Sequence, residues 1–376
     1  MKVVFLLPTV GYSGGIRVVA IYARWLAQRG HQVLLVSQAA KKPTLRRQVK
    51  NVLRGKGWLQ YKAVPASYLD SLDLEHRVVP AGQIPGLADV PPADVVISTW
   101  WETAEWSAGL PADRGAKVYF IQHHEVFDFV PRARCEATYR LPFHKVVIAQ
   151  WLAEVMASQY GDTQVDVVSN GVDHAQFYAP VRGKQRQPTV GTLYHEVPFK
   201  GTDVALKTVA ALKVRYPELR VIAFGSQTPT GVYSLPDYVD LHVAPRQETL
   251  RELYASCDVW LTTSRSEGFN LMAMEAMACR TPVVSTRTGW PVEGVRDGVN
   301  GYLVNVDDAE AAAEALAKVL ELKDTQWRTM SNQAFATVAD ASWEASCIQF
   351  EKALLRTCER ANKGEIMGVP SCGSAA

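Results

Sequence analysis

No C-x-x-C pair occurs among the six cysteines, at 135, 257, 279, 347, 358 and 372, and none has the spacing to histidine that a metal site needs. That excludes a disulfide-framed scaffold and leaves reduced thiols, as in a cytoplasmic protein. There is no charge excess either. In 376 residues 40 Lys and Arg face 38 Asp and Glu, which argues against a general nucleic-acid binder. Long hydrophobic runs are missing. The first stretch, MKVVFLLPTVGYSGG, stops at a Pro/Gly turn, so it reads as a buried strand and neither a signal peptide nor a membrane span. Its turn, GYSGGIR, lacks the G-x-G-x-x-G spacing of a dinucleotide fold, which argues against an NAD-dependent dehydrogenase.

Apolar residues make up 48% of the chain, enough for two cores, and the length favours two domains. Short β-branched runs (KVVFLLP, HQVLLVS, ADVVIST, AKVYFIQ, KVVIAQ) alternate with amphipathic stretches such as IRVVAIYARWLAQRG, a helix closed by Gly30. This alternation predicts an α/β chain with a parallel sheet covered by helices on both faces. Near Asn170-Gly171 the texture turns polar, and the alternation restarts at PTVGTLY. We therefore expect two Rossmann-like parallel-sheet domains, over 1–170 and 188–340, joined by a linker over 171–187 and facing a central cleft. A late helix follows over 341–362, from Trp343 on, and the small, polar tail 363–376 reads as disordered.

The stretch SRSEGFNLMAMEAMACRTPVV, from Ser264 to Val284, holds two acids eight residues apart, Glu267 in a loop and Glu275 inside a Met/Ala-rich helix. The preceding DVWLTTS is a strand, so the loop lies at its C-terminal end, where open α/β sheets bind ligands. Asn270 suits the N-cap, and the N–H groups of the helix start form an anion site suited to a diphosphate. Helical side chains tilt toward the N-terminus, so Glu275 leans back to the same mouth as Glu267. A carboxylate accepts paired hydrogen bonds from a vicinal diol, so each acid can hold one sugar ring. An acid favouring the helix dipole beside a solvated loop acid would give the same letters.

With these residues in view the chain resembles the retaining glycosyltransferases of family 4 (group 1), which have the GT-B fold. EGFNLMAME is similar to their E-x7-E signature, SGGIRVVAIYARWLAQRGHQV to their Gly-Gly loop and first helix, SNGVDHAQF to their interdomain turn, and FKGTDVAL to their Lys-Gly phosphate motif. The segment ETLRELYASCDVWLTTSRSEGF resembles the lead into the acid pair, and YFIQHHE…YRLPFHKVVIAQWLAE is similar to a rhamnosyltransferase-like branch. The resemblance implies an acceptor-side first domain, a second domain binding a nucleotide-diphosphate sugar, and a late helix crossing back to the first. Glu275 would bind the ribose diol and Glu267 a hydroxyl of the transferred sugar. The backbone of Gly268, Phe269 and Asn270 would hold sugar and phosphate, and Lys200 would pair with the diphosphate as the leaving group gains charge. Gly14 and Gly15 would let a phosphate approach the backbone. Either His123 or His124, beside Gln122 and Glu125, would face the sugar. No cofactor and no metal are expected, and no Asp-x-Asp pair is present to hold one. The acceptor would be a glycan, a lipid-linked species or another molecule in polysaccharide or glycoconjugate synthesis.

Three departures stand out. Thr192 occupies the place of an arginine, the loop up to Lys200 is long, and Arg280 replaces a glycine. Arg265 or His195 would then supply the missing phosphate contact. One further segment stands apart. Residues 41–62 hold eight Lys and Arg and no acid. Leu45, Val49, Val52 and Leu53 share one helical face, Arg46, Arg47, Lys50 and Arg54 surround it, and Trp58 and Tyr61 follow. The pattern suits an anionic membrane surface or a phosphorylated acceptor, which would place a cytoplasmic protein peripherally at the inner face of the membrane. It suits equally an insertion whose stripe packs on the first domain. A nucleotide-sugar epimerase on the same fold is the alternative function, and it would turn over donor without acceptor. A non-catalytic sugar-nucleotide sensor would be expected to lose Lys200 or Glu267, and both are present.

Overall fold

The computed structural model describes residues 1–53 and 57–371; Arg54 and Cys372 lie outside the described residues. The chain divides into two compact units. Unit 1 comprises Met1–Ile148, Leu152–Val168 and the chain from Cys347 on, and unit 2 comprises Ala149–Trp151 and Ser169–Ser346.

In unit 1 the elements run β1 (Lys2–Leu7), α1 (Gly14–Gln28), β2 (Gln32–Gln38), α2 (Leu45–Leu53), β3 (Glu75–Val79), β4 (Val95–Ser98), α3 (Trp101–Ala108), β5 (Ala116–Ile121), α4 (Arg132–Thr138), β6 (His144–Val147), α5 (Gln150–Tyr160) and β7 (Val165–Val167). The sheet is parallel, in the order β3-β2-β1-β4-β5-β6-β7. Its middle strands β4 and β5 are buried along their whole length, as near-continuous Val/Ile runs require when helices cover both faces.

Unit 2 continues with β8 (Thr189–Leu193), α6 (Thr202–Arg215), β9 (Arg220–Gly225), β10 (Val239–Val243), α7 (Gln247–Ala255), β11 (Val259–Thr262), α8 (Leu271–Ala278), β12 (Val283–Thr286), α9 (Pro291–Gly294), β13 (Gly301–Val304), α10 (Ala309–Leu320) and α11 (Asp324–Val338). This sheet is also parallel, in the order β10-β9-β8-β11-β12-β13. Val190, Leu261 and Val284 from three neighbouring strands meet Leu316 and Trp327 in its core.

The last helix, α12 (Trp343–Asn362), begins in unit 2 and continues in unit 1. Its Phe350 stacks on Tyr22 of α1 at 4.3 Å and meets Phe5 and Phe120 of the sheet. Full burial of one such ring contributes about 2–3 kcal/mol. Glu351 accepts from His31 at 2.6 Å, and Arg356 pairs with Asp166 at 2.8 Å.

Two sequence expectations change here. Residues 182–185 are no free linker, because Arg182 donates to the Cys257 carbonyl at 2.6 Å, Lys184 N to Asp324 and Gln185 N to Asp258. Upstream, a Cβ at Gly171 would lie 2.2 Å from the backbone of Ser342, so the turn itself is docked. Nor is the tail to Ser371 disordered. Met367 bonds both Pro142 and Lys117, Val369 bonds Ala112, and Ser371 bonds Ala93, all through the backbone. The tail thus satisfies main-chain groups just ahead of β4, β5 and β6 and at the second residue of β5, which polar composition alone does not reveal.

Candidate functional site

In a doubly wound sheet the ligand crevice opens at the C-terminal strand ends, where the strand order reverses. In unit 2 that point lies between β8 and β11. The turn after β8 carries Lys200, and the loop after β11 carries Glu267. The two meet: Lys200 Nζ lies 2.7 Å from Glu267 Oε1, and the Ser264 hydroxyl donates to the same oxygen at 2.6 Å. Glu267 is buried. The approach depends on Gly201, which has φ +67° and whose added Cβ would fall 1.9 Å from the Thr263 carbonyl. That glycine lets the Lys200 turn lie directly against the end of β11.

Glu275, also buried, sits in the second turn of α8 and accepts from the Tyr254 hydroxyl at 2.9 Å. Asn270 occupies the N-cap position but does not cap. It takes the left-handed conformation (φ 75°, ψ 65°), its amide donates to Thr262 Oγ1 at 3.1 Å, and its buried Oδ1 has no partner among the described residues. The first turn of α8 is therefore left without a side-chain cap at the positive end of its dipole. Phe269 stacks on Trp290 and accepts a backbone bond from it at 2.8 Å, while the Gly268 carbonyl takes the Trp151 indole N–H at 3.0 Å. Both carbonyls are thereby held in place.

Two candidates are otherwise engaged. The Thr192 hydroxyl is buried and donates to the Leu261 carbonyl within the sheet. Arg265, expected as a phosphate contact, grips Asp203 through both terminal nitrogens at 2.7 and 3.0 Å, Asp307 through Nε at 2.7 Å and the Pro198 carbonyl at 2.5 Å. It clamps the Glu267 loop to the turn carrying Lys200. Asp203 and Asp307 raise the guanidinium above its ordinary range, and Arg265 holds the Asp203 carboxyl below its own. Arg280, with φ +59°, occupies the left-handed position of a replaced glycine, and its side chain bonds the Ala179 carbonyl and Asn332.

In unit 1 Ser13 caps α1 by accepting from Ile16 N at 3.4 Å. A Cβ on Gly14 would meet nothing within 4 Å, and one on Gly15 would touch only the Gln122 amide, at 3.4 Å. His123 turns Nδ1 to the His124 carbonyl and its ring to Phe127. His124 packs between Tyr139 and Tyr160 and bonds the Tyr160 hydroxyl at 2.7 Å; burial, then His123, lowers its pKa. Both imidazoles are half-buried against aromatic rings, His123 on Phe127 and His124 on the two tyrosines. Sequence reasoning gave Glu125 no role. It is buried, accepts from Trp101 N and the Tyr119 hydroxyl, and donates its own N–H to the Tyr139 hydroxyl oxygen, so it ties the histidine loop to the start of α3. Burial pushes its carboxyl well above the usual range. Its adjacency to HH was the only signal in the letters.

Residues 186–322 match the family described as Glycosyl transferases group 1, and residues 12–176 match Glycosyltransferase Family 4. The chain belongs to the group 1, family 4 glycosyltransferases. This glycosyltransferase is 27% identical to a D-inositol 3-phosphate glycosyltransferase of Mycobacterium avium (strain 104), over 90% of this chain and 88% of the relative. It is 33% identical to the one of Corynebacterium glutamicum (strain R), over half of each. Among solved structures, sucrose-phosphate synthase from Thermosynechococcus elongatus superposes with a TM-score of 0.69 at 18% identity, covering 96% of this chain and all of that one. Anabaena HepE in complex with UDP gives 0.71 at 18%, covering 95% and 100%. At that identity they establish the fold, which is GT-B. Among the described residues no helix is long and apolar enough to cross a membrane.

Proposed function

We propose that this glycosyltransferase takes a sugar from a nucleotide-diphosphate donor held in unit 2, with retention and without metal, and passes it to a glycan, lipid-linked or other acceptor. The observation that carries the reading is the meeting of Lys200, Glu267 and the uncapped start of α8 at the switch point of the sheet. In glycosyl transfer the anomeric carbon becomes cationic and the diphosphate departs as an anion. Fixed positive charge beside that anion lowers the barrier, and Lys200 together with the α8 dipole supplies it. Among the described residues both side-chain bonds to the Glu267 carboxylate fall on Oε1, so Oε2 is the oxygen we assign to a hydroxyl of the transferred sugar. Glu275, oriented by Tyr254, is assigned to the ribose diol. Retention rests on the likeness of the acid pair to the E-x7-E signature. In unit 1 we assign Gly14 and Gly15 to a phosphate, since among the described residues nothing lies within 4 Å of a Cβ placed on Gly14, and His123 to the sugar.

Calorimetric titration with UDP, GDP, dTDP, CDP and NAD, on wild type and Glu275→Ala, tests this. One nucleoside diphosphate should bind, and bind more weakly to the variant; binding of NAD alone, or of nothing, refutes the donor site. Acceptor trials then begin with D-inositol 3-phosphate, after the relatives' name.

We also propose that α2 rests on an anionic membrane. Leu45, Val49, Val52 and Leu53 are all exposed, while Gln48 turns inward to bond both backbone groups of Leu59. An apolar stripe facing solvent among Arg46, Arg47 and Lys50 supports an interfacial helix over a packed insertion. Wild type should co-sediment with phosphatidylserine vesicles, and charge reversal at those three residues should abolish it. Failure of the wild type to bind refutes the membrane.

A further inference from the structure

With Arg265 committed to Asp203 and Asp307, the turn after β8 still holds one polar group whose hydrogen-bonding state is fixed. His195 Nδ1 lies 3.1 Å from the backbone N of Val197. A backbone N–H can only donate, so Nδ1 is the acceptor and the ring proton sits on Nε2. The Thr202 hydroxyl secures the residue at both main-chain ends, accepting from His195 N at 3.0 Å and donating to His195 O at 2.7 Å. The ring is half-buried, and among the described residues Nε2 has no hydrogen-bond partner. The charged groups acting on it are Lys200 from the same turn, Glu196 beside it and Glu267 from the loop after β11. Burial, then Lys200, lowers the imidazole below its ordinary range.

We propose that His195, as a neutral imidazole, donates its Nε2–H to a phosphate oxygen of the donor's diphosphate, beside Lys200. This rests on the donor-site reading above. It fills the contact for which Arg265 is no longer available. Protonating Nδ1 would set two donors against each other at Val197 and place a second cation next to Lys200, so the turn itself keeps the ring neutral. A fixed neutral donor still stabilises the departing phosphate, because it is already aimed where charge develops.

The test takes the nucleoside diphosphate that wild type binds best among UDP, GDP, dTDP and CDP, together with its parent nucleoside. His195→Ala should weaken diphosphate binding by about tenfold or more and leave nucleoside binding unchanged. His195→Gln, which restores an N–H, should recover most of the loss. In ¹⁵N-labelled wild type the His195 Nε2 resonance should shift with diphosphate only, and the ring should stay neutral at pH 7. Equal diphosphate affinity in His195→Ala, equal losses for diphosphate and nucleoside, or an imidazolium in the complex would each overturn the assignment while the donor site stands. If wild type binds none of the four, donor site and assignment fall together.

Discussion

Removing the Arg265 clamp separates two roles that the sequence leaves equivalent. Arg265→Met deletes a bidentate pair with Asp203, a bond to Asp307 and one to the Pro198 carbonyl. The Arg265 and Asp203 side chains are about a third exposed, at 30% and 31%, so solvent screens the pair. Bonds of this kind each contribute roughly 0.5–1 kcal/mol there, and losing the set should cost about 1–3 kcal/mol. For a unit of this size, at about 2–4 °C per kcal/mol, that lowers the melting temperature by about 2–12 °C. The loss should appear in the ligand-free protein by differential scanning calorimetry. A cycle with Asp203→Asn should show coupling of about 1 kcal/mol in stability. Nucleotide affinity should fall only severalfold, through a looser Lys200 turn. If Arg265→Met instead weakens nucleotide binding as much as Lys200→Ala does, with ligand-free stability and the cycle both flat, the guanidinium is a phosphate ligand and the clamp reasoning is wrong.

Three further outcomes are expected. Glu275→Ala should chiefly weaken nucleotide binding and Glu267→Ala chiefly lower turnover; equal, small effects in titration and steady-state assays would sink both assignments. Asp162 and Asp166 are partly buried, which alone would raise their pKa values, but Lys145 on the first and His144 with Arg356 on the second bring them below the ordinary range. Their stabilisation is therefore complete above the unfolded value of about 3.9 and lost as pH falls through the lower folded values, so melting followed below about pH 4 should show a smaller acid loss in Asp166→Asn than in wild type. Glu125 carries the opposite sign: its folded pKa is raised, so stability declines as pH climbs above the unfolded value of about 4.3. Glu125→Gln keeps an acceptor for Trp101 and Tyr119, and should raise the melting temperature at neutral pH with no gain in acid; a lower melting temperature at neutral pH would show that the ionised form is not the burden.

The fold was legible because period and punctuation agree with tertiary demand. The apolar runs VVFLL and AKVYFI are buried on both faces, and α1 ends two residues before Gly30, which has φ +85°. The meeting of Lys200 and Glu267 was legible only through motif resemblance. They are 67 residues apart, and what joins them is the strand order β8-β11, a non-local fact. The places where the structure adds what the letters did not show have one physical cause. Arg265, Thr192 and Asn270 are each polar residues at a strand end or helix start, and at such places a protein partner and a ligand offer the same hydrogen bonds. The sequence shows the capacity to bond but not the partner. Asp203 and Asp307 took the arginine, the Leu261 carbonyl took the threonine, and Thr262 took the asparagine amide.

That competition also bears on how the site works. Lys200 meets Glu267, so in the donor site proposed above a diphosphate would compete for an ammonium that already has a carboxylate partner. The Ser264 hydroxyl on the same carboxylate oxygen keeps Glu267 in place if Lys200 shifts toward phosphate. Breaking a buried ion pair is costly when one partner is left alone, and much cheaper when each finds a new one. On that proposed reading a nucleotide sugar would offer both replacements at once, an anion for Lys200 and a hydroxyl for Glu267. A bare nucleoside diphosphate offers only the first, so the intact donor should gain more from this pair of residues than its diphosphate fragment does.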